Sequence, residues 1–160
     1  MDTKFESNKT SCFTGHRNIP RGDEKIIYSR LLQCVDALVK IGVCDFLSGG
    51  ALGFDRLCEK AVMEIKKSNP HIRLTIVIPC GDQHRLWSVG DKGEYERMLN
   101  EADNVICLNE SYVTGCMHQR NRFMVERSEY CVCYYNGRAG GTRHTVELAR
   151  ELDRDVINLA

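Results

Sequence analysis

Residues 48–62 run "SGGALGFDRLCEKAV", three glycines in six positions and then a helix. Upstream, "CDFLSGG" reads as a strand ending in glycine; downstream, residues 54–67 place Leu57, Ala61 and Ile65 one helical turn apart. The chain therefore passes from strand through bare backbone into helix. Glycine at such a bend serves either a simple reversal or a seat for an anion. It lets N–H groups approach a ligand closely, and the helix end adds unpaired donors and partial positive charge.

The same unit repeats to both sides. "TSCFTG" (10–15) is a short strand, and residues 23–41 form an amphipathic helix with Ile27, Leu31, Cys34, Val35 and Leu38 on one stripe and Gly42 as its stop. "IRLTIVIP" (72–79) is nearly all apolar or β-branched, a run that fits a strand covered on both faces. A helix over 91–102, strand "NVICL", a helix over 114–128, strand "YCVCYY", a helix over 140–153 and strand "DVINL" complete the pattern. Alternation of this kind predicts an α/β fold, a three-layer αβα sandwich on a mainly parallel sheet. Right-handed crossovers would bring the loops that follow the strands to one edge, where ligands bind in open α/β sheets. Residues 1–8 are polar and patternless and are expected to form a flexible tail; residues 9–160 are expected to form a single domain.

Composition narrows the function classes. The 22 basic residues offset 22 acidic ones, so no global field draws in nucleic acid or an anionic membrane, and any anion must be held locally. No apolar stretch approaches the roughly twenty residues that cross a bilayer. Nine cysteines, an odd number scattered through apolar runs, read as reduced thiols in a cytoplasmic protein. Cys131 and Cys133 share a strand face without a metal-ligand spacing, so neither a metal nor a cofactor is expected.

Three strand ends carry glycine turns: "TGHR" (14–17), "SGGALGFD" (48–55) and "NGRAGGTRH" (136–144). None is a P-loop or a GxGxxG fingerprint, which argues against ATP hydrolysis and the usual Rossmann dinucleotide mode. Gathered at one sheet edge they suit a phosphate. His16 and Arg17 could meet a phosphate or a base, or His16 could be structural. In the helix "TGCMHQRNRFMVERS", Arg120 and Asn121 flank the inward line of Met117 and Met124, so Arg120 either binds a ligand or forms a salt bridge; Arg122 and Arg127 look like solvent-face charges. Thr142, Val146 and Ala149 form the packed line of the last helix, which turns Glu147 away. In the polar connection 80–90, Gln83 and Trp87 could lid a pocket and stack a base, or Trp87 could plug the sheet edge.

"FTGHR", "SGGALGFD", "IPCGDQHRLW", "MHQRNRFMVERS" and "GGTRHTVELA", in this order, resemble the SLOG superfamily, and within it the small YpsA-like branch. That superfamily groups DNA-processing proteins with the LOG cytokinin-activating hydrolases. The resemblance implies a Rossmann-like domain whose glycine loops bind a nucleotide or an NAD- or ADP-ribose-like metabolite. By position it implies Gly15, His16 and Arg17 for the first loop, Ser48, Gly49, Gly50, Gly53 and Asp55 for the second, and Gly140, Gly141 and Thr142 for the phosphate loop. The LOG enzymes cut a nucleotide N-glycosidic bond with an arginine in a "MHxRK" helix and a glutamate three residues past the threonine of "PGGxGTxxE". Here Arg120 is present, Asn121 replaces the lysine, Thr145 stands where the glutamate would be, and Glu147 comes two places later. Such chemistry needs a placed carboxylate. The expectation is thus a nucleotide-binding sensor, carrier or sequestering domain rather than an enzyme, with a possible homo-oligomer. One alternative is a nucleoside monophosphate N-glycosidase in which Asp55 or Glu147 joins Arg120; a second is single-stranded DNA binding.

Overall fold

The computed structural model describes residues 4–160. Strands β1 (Thr10–Gly15), β2 (Asp45–Ser48), β3 (Arg73–Ile78), β4 (Asn104–Cys107), β5 (Tyr130–Tyr134) and β6 (Asp155–Asn158) alternate with helices α1 (Glu24–Lys40), α2 (Phe54–Lys66), α3 (Val89–Glu101), α4 (Cys116–Glu126) and α5 (Gly141–Glu151). The sheet order is β4-β3-β2-β1-β5-β6, and every pairing is parallel. The fold is thus α/β and Rossmann-like, with a sheet more uniformly parallel than expected.

From β1 the chain steps outward through β2 and β3 to β4. It then returns to lay β5 on the other side of β1 and steps away to β6. With crossovers of one hand, reversing direction moves the helices to the opposite face. Accordingly Ile27 and Leu31 of α1, Leu57 and Ala61 of α2, and Tyr95 and Met98 of α3 share one core layer. Met124 and Val125 of α4 share the other with Leu148 and Ala149 of α5.

Alternate strand residues feed the two layers. Phe13, Phe46, Leu74, Ile76 and Val132 enter the first; Cys12, Leu47, Val77 and Cys131 enter the second. This is why β3 is an unbroken apolar run: both of its faces are covered. Each fully buried large side chain stabilises the fold by about 1.5–3 kcal/mol. Cys12 and Cys131 are register partners of β1 and β5 and act as small packing groups.

Boundaries follow local chemistry. The α3 helix begins at Val89, two residues earlier than the pattern suggests, because the Ser88 hydroxyl accepts the Asp91 N–H at 3.1 Å. The left-handed Gly115 delays α4 to Cys116. Of the stretch expected to be a flexible tail, residues 1–3 lie outside the described residues. Phe5 packs on the second core layer, Ser7–Lys9 form a 3₁₀ turn, and the Glu129 N–H donates to the Ser7 carbonyl at 3.0 Å. Among the described residues no helix is long and apolar enough to cross a membrane.

Candidate functional site

β1 lies between β2 and β5, the point where the strand order reverses, and a crevice opens there beyond the strand ends. The cleft has a volume of about 400 Å³. The end of β1 and its turn contribute Phe13 to Arg17, and the second glycine turn and α2 contribute Ala51 and Asp55. The α4 helix contributes Met117, His118, Arg120 and Asn121, and the opening of α5 contributes Gly140 to Thr142. Gly15, His16, Arg17, Asp55, Arg120, Asn121, Gly140, Gly141 and Thr142 are therefore brought together. Ser48, Gly49, Gly50, Gly53, Gln83, Trp87 and Glu147 do not line this cleft.

The glycines fall into two kinds. A Cβ on Gly15 would overlap the Phe54 ring, and one on Gly53 would overlap the Arg17 carbonyl. The Phe54 N–H also donates to the His16 carbonyl at 3.2 Å. These glycines let the turn after β1 dock against the start of α2. Gly49 makes room for the Arg120 guanidinium, since its Cβ would stand 2.5 Å from Nη1. In contrast, a Cβ on Gly140 or Gly141 would meet nothing within 4 Å.

The second glycine turn is held largely by the protein's own hydrogen bonds. The Gly50 N–H donates to Ser48 Oγ at 3.4 Å, and the Ala51 N–H to Asp55 Oδ2 at 3.1 Å. Ser48 Oγ donates in turn to Glu59 Oε2 at 2.5 Å. Gln83 Nε2 bridges the Gly49 carbonyl at 3.2 Å and the Tyr95 hydroxyl at 3.0 Å. Glu59 is a support that nothing in the sequence singled out. Burial raises its carboxyl to about 8, against the Ser48 hydrogen bond. Its one signal is position, a turn beyond Asp55 on the buried side of α2.

Arg120 is only 4% exposed. Nη1 donates to the Gly49 carbonyl at 2.5 Å, Nε donates to Asn121 Oδ1 at 2.7 Å, and Nη2 has the Met117 sulfur at 3.8 Å. Burial lowers its pKa, offset by the nearby charge of Asp55; burial raises that of Asp55, offset by Arg120. The two face each other across the bare α-carbon of Gly49, and Asp55 is occupied with the Ala51 N–H. Nη2 thus keeps donor capacity at the floor of the cleft.

The first turn of α5 also lines the cleft. No side chain caps it, so its leading N–H groups have no partner within the helix. Gly140, at φ +138°, adopts a conformation that side chains disfavour. His16 borders this end. Its Nε2 accepts the Asn136 N–H at 3.2 Å, and burial, with the charge of Arg138, lowers its pKa against that hydrogen bond.

Trp87 packs edge-on against Tyr95 at 5.2 Å beside the first core layer and does not line the cleft. Glu147 is exposed and accepts from Arg143 Nε at 3.0 Å, facing away from the cleft as its helical phase requires. Ala51, Met117 and His118 line the cleft without having been assigned to it, although His118 sits inside the "MHQRN" motif.

Sheet order, a crevice at the reversal point and glycine turns at strand ends define a Rossmann-like protein of the SLOG type. The family model of YpsA, described as the YspA SLOG family, matches residues 13–155, and the chain belongs to that family. It is 33% identical over 135 residues to the SPbeta prophage-derived protein YoqJ of Bacillus subtilis, covering 76% of this chain and 79% of the relative. Among solved structures it resembles DNA processing protein A of Streptococcus pneumoniae, with a TM-score of 0.68 and 18% identity over 96% of this chain and 50% of that one. DNA processing protein A of Helicobacter pylori, described for its single-stranded DNA binding mode, gives 0.67 and 17% over 95% of this chain and 65% of that one. The chain thus spans less than two thirds of these structural neighbours, and the likeness at such identity is one of fold.

Proposed function

We propose that the cleft binds a nucleotide or nucleotide-derived metabolite of the NAD or ADP-ribose kind, as a sensor, carrier or sequestering domain. The phosphate would sit on the first turn of α5, with the Arg120 guanidinium in the same lining. The observation that carries this reading is the contrast among the glycines. Gly15, Gly49 and Gly53 are small because protein groups press on them, whereas Gly140 and Gly141 face open space at an uncapped helix end. The volume of about 400 Å³ falls within the range of small-molecule sites, about 300–1,000 Å³.

Binding without turnover is favoured because Asp55, the carboxylate in the lining, is already engaged by the Ala51 N–H, and Glu147 stands outside. The test is a thermal-shift and calorimetric panel of nucleoside monophosphates, NAD and ADP-ribose on the wild type and on Gly141→Val. A ligand selective for the native state raises Tm. The expected result is a rise that the valine abolishes by filling the phosphate seat; a panel with no shift for any member overturns the reading.

A second reading, single-stranded DNA binding, is suggested by the Helicobacter pylori neighbour. Local charge weakens it: Arg122 pairs with Glu126 and Arg143 with Glu147, so two exposed arginines of α4 and α5 are already matched. A gel shift at low and moderate salt separates the two readings, because a phosphate-backbone contact weakens steeply with salt.

A further inference from the structure

One group in the cleft is used by nothing above. His118, the third residue of α4, lines the cavity, and the ring of His144, the fourth residue of α5, lies against it with centroids 4.3 Å apart and planes at 49°. Both side chains are exposed, and His144 is not itself part of the lining. The ring of His118, which lines the cleft, therefore has a second ring against it.

We infer that His118, backed by His144, is the platform on which the planar heteroaromatic base of a nucleotide stacks. The inference rests on the proposed phosphate seat and adds what occupies the other half of the site. His144 lies two residues beyond Thr142 on the same helix, so the ring pair stands directly beside the uncapped first turn of α5.

The two other aromatic groups of the lining, and Trp87, are committed elsewhere. Phe13 has no exposed surface, Trp87 packs on Tyr95 outside the cleft, and His16 is held edge-on to Tyr134 with Nε2 on the Asn136 N–H. Stacking needs only a π face, so it tolerates many bases, and a ring already in contact with another has less freedom to lose on binding.

The test is calorimetric titration of the full chain with AMP and with ribose 5-phosphate, which keeps sugar and phosphate and lacks the base. Wild type is expected to bind AMP about ten- to a hundredfold more tightly than ribose 5-phosphate. His118→Ala should remove that preference while leaving ribose 5-phosphate unchanged, and His118→Phe should restore it. His144→Ala should shrink the preference part of the way. An AMP preference that survives His118→Ala, or a loss shared equally by both probes, overturns the platform and leaves the phosphate seat standing. Failure of wild type to bind either probe overturns the platform; the phosphate seat then falls only if NAD and ADP-ribose also fail to raise Tm.

Discussion

The Arg120 guanidinium occupies the space where a Gly49 side chain would stand, and it donates to the Gly49 carbonyl at 2.5 Å. Position 49 is thus small so that a buried cation can lie flat against the turn after β2. Gly49→Ala would place its Cβ 2.5 Å from Nη1 and 3.0 Å from Asp55 Oδ2. Arg120 is anchored at Asn121 and at Gly49 itself and has little room to retreat. The expected cost is about 1–3 kcal/mol, typical of overpacking a tight interior, measured as a lower urea midpoint. Gly141→Ala is the matched control: its Cβ enters open space, and stability should stay within about 1 kcal/mol of wild type.

Gly53 is constrained twice over. Its φ of +76° is costly for other residues, and a Cβ there would overlap the Arg17 backbone carbonyl, which cannot swing aside as a side chain can. Gly53→Ala should therefore lose about 1–3 kcal/mol from backbone strain alone, with the clash added to it. Because the clash pushes on the turn carrying His16 and Arg17, thermal melting and binding should fall together. Wild-type stability in this variant would show that the two turns are not locked.

Most of the fold is legible in local patterns. The unbroken run of β3 announces a strand covered twice, and the stripe through Ile27, Leu31, Val35 and Leu38 sets the face of α1. Arg120 is also legible, because helical phase alone puts it beside the buried methionine line. What local pattern does not contain is the division of labour among the glycines. Gly49 reads the same as Gly141 until α4, 71 residues away, lays Arg120 across it. The role of Trp87 likewise depends on Tyr95 and His84, whose approach comes from the folding of the 80–88 connection onto α3. Long-range contact, not composition, separates a packing glycine from one that faces open space.

Glu147 tests whether LOG-like hydrolysis operates. It is exposed and paired only with Arg143 one turn earlier on the same helix, so Glu147→Gln should shift stability by no more than about 0.5 kcal/mol. Binding at the α5 first turn should be unchanged, since the side chain is outside the cleft. Base release from a nucleoside monophosphate that depended on Glu147 would contradict this placement.

Glu59 should make stability depend on pH in a direction opposite to that of an ordinary paired carboxylate. Burial raises its pKa in the folded protein to about 8 from an ordinary value of 4.5. Between these values the unfolded chain has released this proton while the folded chain holds it. Stability from this group is therefore fully present below about pH 4.5 and falls as pH rises towards 8, by up to about 1.4 kcal/mol per pH unit. Glu59→Gln cannot ionise, and its amide oxygen can still accept the Ser48 hydroxyl. Urea midpoints measured at pH 5 and pH 8 should fall further for wild type than for the glutamine variant, and the variant should be the more stable at pH 8. Parallel pH dependences would mean that the folded protein ionises Glu59 as readily as the unfolded chain, and that Ser48 and the turn above it are held by a charged group.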